Sequence, residues 1–259
     1  MAEQPPVRGV LDPAERDAVM ARFGVSPVQV ARDHVISHAL AAIASLGTDR
    51  IVFFGGTALS RTLLPDLRLS EDIDLIALGD RPEIGAAIQE AIERQFLRSF
   101  GHPTFTPPLA DARHPDPSVL AVGGVRIQIQ LLSGTGYPAW PTEVADIEQR
   151  YSDAPAARLR VPTPAAFVAA KLAAWTDRHA PRDLYDLWAL AKAGHITDEA
   201  ARLYGRYGQY TDVAKVSFAE VPTDAAWRDA LERQGIIAVG PVEAARVVRD
   251  AIAALKGGT

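Results

Sequence analysis

Two aspartates that alternate along a short apolar segment are the residues of this chain best suited to chemistry. Asp72 and Asp74 alternate with Ile73 and Leu75. On a β-strand, residues two apart point to the same side and lie roughly 6.5 Å apart, so both carboxylates would share one face. Mg2+ is bound through one or two carboxylates together with substrate phosphates. The pair alone is equally compatible with a solvent-exposed strand face.

A glycine pair, Gly55-Gly56, follows the apolar run at 51–54 and precedes the aspartates. Because glycine has no side chain, its backbone N–H groups can approach a phosphate closely. A lone glycine pair usually indicates a turn. A glycine pair and a pair of alternating aspartates, each next to an apolar strand, occur together much less often than either occurs alone. The combination predicts a site that holds a nucleoside triphosphate against a metal ion.

The segment at 53–75 resembles the nucleotidyltransferase core of AbiEii/AbiGii-type toxins, a branch of the DNA polymerase beta-like superfamily that includes the mycobacterial MenT toxins. The resemblance rests on Gly-Gly-Thr-Ala-Leu at 55–59 and Arg-Leu-Ser-Glu-Asp-Ile-Asp-Leu at 68–75. A second block, Lys171 with Pro-Arg-Asp-Leu-Tyr-Asp-Leu at 181–187, matches the downstream motifs of the same family.

This resemblance implies an enzyme that uses Mg2+ or Mn2+ to transfer a nucleoside monophosphate from an NTP, with release of pyrophosphate. It places the metal on Asp72 and Asp74 and makes Asp183 a general base or a metal-supporting acid. The residues expected to bind the nucleotide lie around the glycine pair and on the second block: Gly55, Gly56, Thr57, Arg68, Ser70 and Lys171. In some relatives an antitoxin kinase phosphorylates the motif serine, which implies regulatory phosphorylation of Ser70.

One strand departs from the superfamily pattern. A third carboxylate usually projects from a strand placed like residues 125–132, but here the alternating positions are Arg126, Gln128 and Gln130. Glutamine brings no negative charge to a second metal. One metal is then sufficient, or another acid such as Asp183 substitutes, or the enzyme is weakened, and we favour Asp183.

The resemblance also implies a growth-inhibiting toxin of a toxin–antitoxin or phage-defence pair, with a cognate antitoxin encoded nearby. The expected acceptor is the 3′ end of tRNA, whose modification blocks aminoacylation and translation. No residue selects the NTP or the acceptor. The alternatives are a nucleotidyltransferase acting on a small molecule, such as an aminoglycoside, or on a protein hydroxyl, and a degenerate member that only binds.

Two further groups of residues have two interpretations each. Basic and aromatic residues interleave at 202–210, which suits RNA bases and phosphates but also ordinary helix packing. His34 and His38 stand four apart, a spacing that can bind zinc. The HExxH pattern needs a glutamate after the first histidine, and Val35 stands there, so we predict no metal at this pair.

The elements that position these residues predict an α/β (α+β) fold: a small mixed β-sheet core followed by a mainly helical part. Its expected domains are N-terminal helices at 1–48, the catalytic core at 49–140, and a helical domain at 141–259 that completes the active-site cleft. We predict that helices begin at Asp12-Pro13, Ser26-Pro27, Thr163-Pro164 and Pro181, because a polar N-cap residue or a proline at the first helical position favours helix initiation. We also predict a helix at 82–100, an irregular segment at 101–117, a hairpin turning at 123–124, some helix at 143–150, and final helices at 224–234 and 242–255.

Composition limits the class of protein. The 259 residues are 48% hydrophobic and 23% charged, enough for one large domain or two small ones. A net charge of −5 argues against a protein that coats nucleic acid through a generally basic surface. The chain has no cysteine, which excludes disulfides and thiol catalysis. With no apolar run near the roughly 18 residues of a membrane span and no secretory signal at the N-terminus, we expect a cytoplasmic protein without a membrane partner.

Overall fold

The computed structural model describes residues 9–111 and 116–255. Within these residues the chain contains nine α-helices and seven β-strands, which confirms the predicted α/β class. The chain divides into two compact units. The first comprises Met1–Tyr137 and Glu143–Val161, and the second comprises Pro138–Thr142 and Pro162–Thr259. The three-part division expected from the sequence stays a prediction.

The seven strands form one mixed sheet in the order β3-β4-β5-β2-β1-β7-β6. Strand β2 lies at its centre, antiparallel to β1 and parallel to β5. The predicted hairpin is formed by β4 and β5, which pair antiparallel. The strand bounds are β1 Ile51–Phe54, β2 Asp72–Ala77, β3 Thr104–Thr106, β4 Ser118–Val122, β5 Val125–Ser133, β6 Thr142–Ile147 and β7 Ala157–Pro162.

The first compact unit also contains four helices: α1 Pro13–Phe23, α2 Pro27–Ala44, α3 Gly55–Arg61 and α4 Arg81–Phe96. The first two begin where the sequence predicts. Asp12 accepts hydrogen bonds from the N–H groups of residues 14 and 15, and Ser26 accepts one from Gln29. These side chains satisfy N–H groups that lack a partner within the helix. Gly24 ends α1 in the left-handed conformation, with φ of 69°.

Central strand β2 separates a buried face from a more accessible one. Ile73 and Leu75 are fully buried, whereas Asp72 and Asp74 are half-buried. Helices α2 and α4 pack together and against β5. Burial of alternate apolar side chains therefore fixes the register of β2 and directs both aspartates to the opposite face.

Two expectations for the connecting segments were wrong. The helix expected at 143–150 is instead β6, an edge strand hydrogen-bonded to β7. A helix this short is marginal in water, and pairing with β7 satisfies the backbone of the segment instead. The segment at 101–117, expected to be irregular, contributes β3 at the other edge of the sheet; residues 112–115 lie outside the described part of the chain.

The second compact unit is mainly helical. Its helices are α5 Pro164–Arg178, α6 Pro181–Lys192, α7 Asp198–Tyr207, α8 Asp224–Leu231 and α9 Pro241–Ala253, with a 3-10 turn at Val213–Lys215. Trp175 and Trp227 anchor its core, and each donates its indole N–H to a backbone carbonyl, at 3.0 and 2.8 Å. Across the described residues, no helix is both long enough and apolar enough to cross a membrane.

Candidate active site

The two aspartates of β2 lie beside the two glutamines of β5. The parallel register pairs Asp72 with Gln128 and Asp74 with Gln130. Alternate residues of neighbouring strands project to the same side, so two carboxylates and two amides share the accessible face. The strand on which the resemblance led us to expect a third carboxylate is therefore adjacent to β2, but its glutamines offer neutral oxygens.

The glycine pair lies against this face. Gly55 has a φ of +78°, and a β-carbon at this position would overlap the carboxylate of Asp74. A β-carbon on Gly56 would stand 3.0 Å from Arg68 Nη2 and 3.1 Å from Ser70 Oγ. A side chain at either position would therefore have to displace the aspartate, arginine or serine side chains of the same motif, and at Gly55 it would also face an unfavourable positive φ.

Three residues predicted to bind nucleotide are buried and support the loop. The hydroxyl of Thr57 donates to the backbone carbonyl of Asp72, which links α3 to β2. Arg68 is 3% exposed and donates to the carbonyl of Leu69 at 3.1 Å, and Ser70 is 8% exposed. Nucleotide contacts from these residues stay a prediction. Because the hydroxyl proton of Thr57 is already donated to Asp72, only the backbone N–H of Thr57 could donate to a phosphate.

An ionic network anchors the helix that carries the glycines. Arg61, the last residue of α3, is buried and donates to Asp33 Oδ1 on α2 at 2.8 Å and to the carbonyl of Glu148 at 2.8 Å. Arg150 donates to the same Asp33 oxygen at 3.2 Å. Burial lowers the pKa of Arg61, and Asp33 opposes that shift. The sequence did not identify this network, because its members are far apart along the chain.

An apolar wall adjoins the aspartates and was also not predicted. Phe54 pairs with Asp74 across β1 and β2, and its ring centroid lies 5.6 Å from that of Tyr137. Both rings pack against the cluster of Val52, Ile76 and Leu132. The alternation of Val52 and Phe54 immediately before the glycines could have indicated that these side chains share the face of the aspartates.

The second block of the motif forms an ionic cluster within the second compact unit. Lys171 Nζ on α5 lies 3.0 Å from Asp183 Oδ1 and 2.7 Å from Asp186 Oδ2, both on α6. Arg178 Nε lies 2.7 Å from Asp183 Oδ2. Both aspartate side chains are 1% exposed. Two cations and two anions thus neutralise one another in this cluster.

The charge balance of this cluster bears on the role of Asp183. Burial would raise the pKa of its carboxyl, but Lys171 and Arg178 outweigh burial and hold the pKa below its ordinary value of 3.8. A carboxylate with a lowered pKa accepts protons weakly. The cluster therefore suits Asp183 as an anionic partner for a cation better than as a general base.

The interleaved basic and aromatic residues lie on and after α7. Tyr204 is fully buried, whereas Arg202, Arg206 and Tyr210 are exposed. The Tyr207 ring packs edge-on against Trp140 at 5.0 Å, and Arg206 lies over the Tyr207 ring at 5.0 Å. Tyr204 and Tyr207 thus take part in ordinary helix packing, whereas Arg202, Arg206 and Tyr210 are exposed at the protein surface.

Comparison with known proteins identifies the family. The family model described as "Nucleotidyl transferase AbiEii toxin, Type IV TA system" matches residues 38–237. The chain is a member of the AbiEii nucleotidyltransferase toxin family. This match spans the glycine pair, the aspartates of β2 and the Lys171 cluster, so the AbiEii resemblance predicted from the sequence is confirmed.

Solved structures share the fold of this chain. MenT4, a nucleotidyltransferase toxin from Mycobacterium tuberculosis H37Rv, matches with a TM-score of 0.67 at 19% identity, covering 92% of this chain and 88% of that one. JHP933 from Helicobacter pylori matches with a TM-score of 0.52 at 17% identity, covering 88% of this chain and 92% of that one. A search of the curated proteins finds no match. As an AbiEii-family member, the chain is a nucleotide-transferring enzyme and the toxin of a type IV toxin–antitoxin pair.

Proposed function

We propose that this AbiEii-family toxin transfers a nucleoside monophosphate from an NTP to the 3′ end of tRNA in the cytoplasm, releasing pyrophosphate and stopping translation. The observation that carries the proposal is the packing of Gly55 against the Asp74 carboxylate. It puts a backbone able to approach phosphates directly beside two carboxylates able to hold a divalent cation.

The donor set around Asp72 and Asp74 fits one hard divalent cation. Two half-buried carboxylates lie in register with the amides of Gln128 and Gln130, and oxygen donors of this kind bind Mg2+ or Mn2+. Bound there, the ion supplies Lewis acidity toward the α-phosphate and offsets the triphosphate charge. Because the glutamines add no charge, this face favours one metal rather than two.

The glycine pair and its neighbours bind the triphosphate in this proposal. The N–H groups of Gly55 and Gly56 begin α3 without a side-chain cap, so these donors suit phosphate oxygens. Arg68 brings its guanidinium to within 3.0 Å of the position a β-carbon of Gly56 would take. This buried cation adds positive charge next to the phosphates.

The Lys171 cluster has a more restricted role. Phosphates that bind Lys171 must compete with Asp183 and Asp186, which already contact its ammonium. We therefore assign Lys171 both the support of the triphosphate and the holding of the two aspartates. Of the two roles predicted for Asp183, its lowered pKa argues against the general base and leaves the metal-supporting acid as the proposed role.

Ser70 provides a route for control by the antitoxin. A phosphate on its hydroxyl would add negative charge beside the glycine pair, so it would compete for the metal and repel the triphosphate. Ser70 is 8% exposed, so a kinase requires local opening. Mass spectrometry of the toxin coexpressed with the neighbouring gene tests this route, and a neutralised toxin with unmodified Ser70 would rule it out.

A transfer assay with four α-32P-labelled NTPs tests the proposed reaction and its acceptor. Label on total tRNA, with none on aminoglycosides or on protein, is the expected result, and it identifies the nucleotide at once. Label on a small hydroxyl acceptor instead would support the alternative transferase. Tight NTP binding without any turnover would support a degenerate member that only binds.

A further inference from the structure

Two histidines and an aspartate converge inside the first compact unit, and the proposed transfer reaction uses none of them. His34 and His38 lie on α2, and Asp153 lies in the turn before β7. His34 Nε2 is 2.9 Å from Asp153 Oδ1, and His38 Nε2 is 3.0 Å from Asp153 Oδ2. The three donor atoms lie within 4.8 Å of one another.

The cluster is closed to solvent. His34 is 3% exposed, His38 is 0% exposed and Asp153 is 6% exposed. The ring of Phe100 lies 4.9 Å from His38, and the ring of Tyr151 lies 4.8 Å from His34. These aromatic rings surround the imidazoles with apolar surface, which makes an uncompensated charge costly.

The charge of Asp153 requires compensation at this place. Throughout the part of the chain that the structure describes, the polar contacts of its carboxylate are with His34, His38 and the N–H of Gly9, the last at 2.8 Å. Each imidazole can serve this anion as a hydrogen-bond donor or can bind a metal ion beside it. Buried charges in proteins are otherwise paired with opposite charge or coordinate metals.

Because Asp153 adds the third ligand that the sequence did not indicate, we depart from the expectation of no metal at the histidine pair and infer that His34, His38 and Asp153 bind a divalent transition-metal ion such as Zn2+. Imidazole nitrogens and carboxylate oxygens are ordinary zinc ligands, at about 2.0–2.2 Å from the metal. A tetrahedral ion with such bonds separates its donors by roughly 3.3 Å. The donor atoms of this cluster, which start at a separation of 2.9 Å and all lie within 4.8 Å of one another, bracket that spacing. The ion takes the place of the two Nε2 protons, while Gly9 holds the carboxylate from outside.

A metal here would cross-link distant parts of the first compact unit. It would join α2 to the turn before β7, more than one hundred residues away, with separations of 119 and 115 residues for the two histidines. Three protein ligands are one fewer than tetrahedral zinc requires, so a water molecule enclosed with the ion would be the fourth ligand. The nitrogen ligands distinguish this site from Asp72 and Asp74, because Mg2+ prefers oxygen.

Metal binding by the full, untagged chain tests the inference. Zn2+ affinity is measured by competition with a chromophoric chelator, in the presence of excess Mg2+, for the wild type, His38→Gln and His102→Gln. Glutamine keeps an N–H donor for Asp153 but lacks the imidazole, and His102 is an exposed control. In a second measurement, Co2+ replaces Zn2+, and its visible absorption reports the coordination geometry. In a third, thermal unfolding of the protein is followed with and without Zn2+.

We expect the protein to bind about one Zn2+ per chain, to give a tetrahedral Co2+ spectrum, and to melt at a higher temperature with Zn2+. His38→Gln should weaken Zn2+ binding at least tenfold, and His102→Gln should leave it unchanged. Equal Zn2+ affinity of the wild type and a folded His38→Gln would reduce the cluster to a hydrogen-bonded triad. If His38→Gln does not fold, a wild-type chain without a Co2+ spectrum or Zn2+-dependent melting overturns the inference.

Discussion

Gly55 packs directly against the carboxylate of Asp74, so that a β-carbon on the glycine would overlap Asp74 Oδ2. The two residues belong to separate motifs of the sequence, and the antiparallel pairing of β1 with β2 brings the motifs together. The absence of a side chain at position 55 is therefore a requirement of the aspartate as well as of the loop conformation.

Replacing Gly55 should show this dependence. Gly55→Ala forces an alanine to adopt the φ of +78° that glycine adopts without strain, and its β-carbon displaces the Asp74 carboxylate. Gly47→Ala is the matched control, because Gly47 has a φ of +87° with open space around its β-carbon position. We expect both variants to lose about 1–2 kcal/mol of unfolding free energy from the left-handed conformation.

Only Gly55→Ala should also lose nucleotidyl transfer, by tenfold or more. Urea unfolding and transfer rates, measured side by side, separate the two effects. A Gly55→Ala protein as active as Gly47→Ala would show that the position of the Asp74 carboxylate against the loop has no bearing on the reaction.

Lys171 should contribute to stability as well as to activity. Lys171→Ala removes the ammonium that lies between Asp183 and Asp186, whose side chains are both 1% exposed. Breaking a buried ionic cluster in this way costs about 3–5 kcal/mol. Urea unfolding should show this loss, whereas Lys192→Ala, at an exposed position of α6, should change the unfolding free energy by less than about 0.5 kcal/mol.

The same comparison decides how to interpret an inactive Lys171 variant. If Lys171→Ala unfolds at the same urea concentration as Lys192→Ala, the cluster does not stabilise the second compact unit. In that case any loss of transfer by Lys171→Ala is attributable to the phosphates alone.

Asp183 should make the stability of the protein depend on pH at the acidic end. Lys171 and Arg178 outweigh burial and hold its folded-state pKa below the ordinary value of 3.8. The stabilisation is therefore fully present above pH 3.8 and is lost as the pH falls through the folded-state pKa. The difference in unfolding free energy between the wild type and Asp183→Asn should therefore become smaller as the pH falls through this range.

Asp177→Asn, an exposed substitution on α5, is the control for this titration. Its difference from the wild type should be small at every pH, as for other surface changes. A wild-type advantage over Asp183→Asn that stays constant from neutral to acidic pH would contradict the lowered pKa.

Local patterns explain which parts of the fold could be predicted. The alternation through Asp72 and Asp74 and the capping residues Asp12 and Ser26 act over a few residues, and the structure follows them. Strand β6 could not be predicted in this way, because its conformation depends on pairing with β7 at a sheet edge. A pattern read within one segment contains no information about such a partner.

The side-chain clusters show the same limit. The spacing of His34 and His38 was visible in the sequence, but their partner Asp153 is 119 residues from His34. Likewise, Asp33 and Arg61 meet only when α3 packs on α2. Lys171 and Asp183, which lie 12 residues apart on consecutive helices, were identified through family resemblance, although their mutual ion pair was not.

The most direct test of the central claim is label transfer from α-32P-NTP to tRNA in Mg2+, comparing the wild type with Asp74→Asn and Asp146→Asn. Asp146 lies on β6 with its side chain 90% exposed, so this control removes a carboxylate from the surface of the sheet. We predict that Asp146→Asn transfers label at the wild-type rate. Asp74→Asn should be slower by at least about a hundredfold, or about 2.7 kcal/mol. A folded Asp74→Asn protein that transfers label as fast as the wild type would contradict the proposed role of the β2 aspartates.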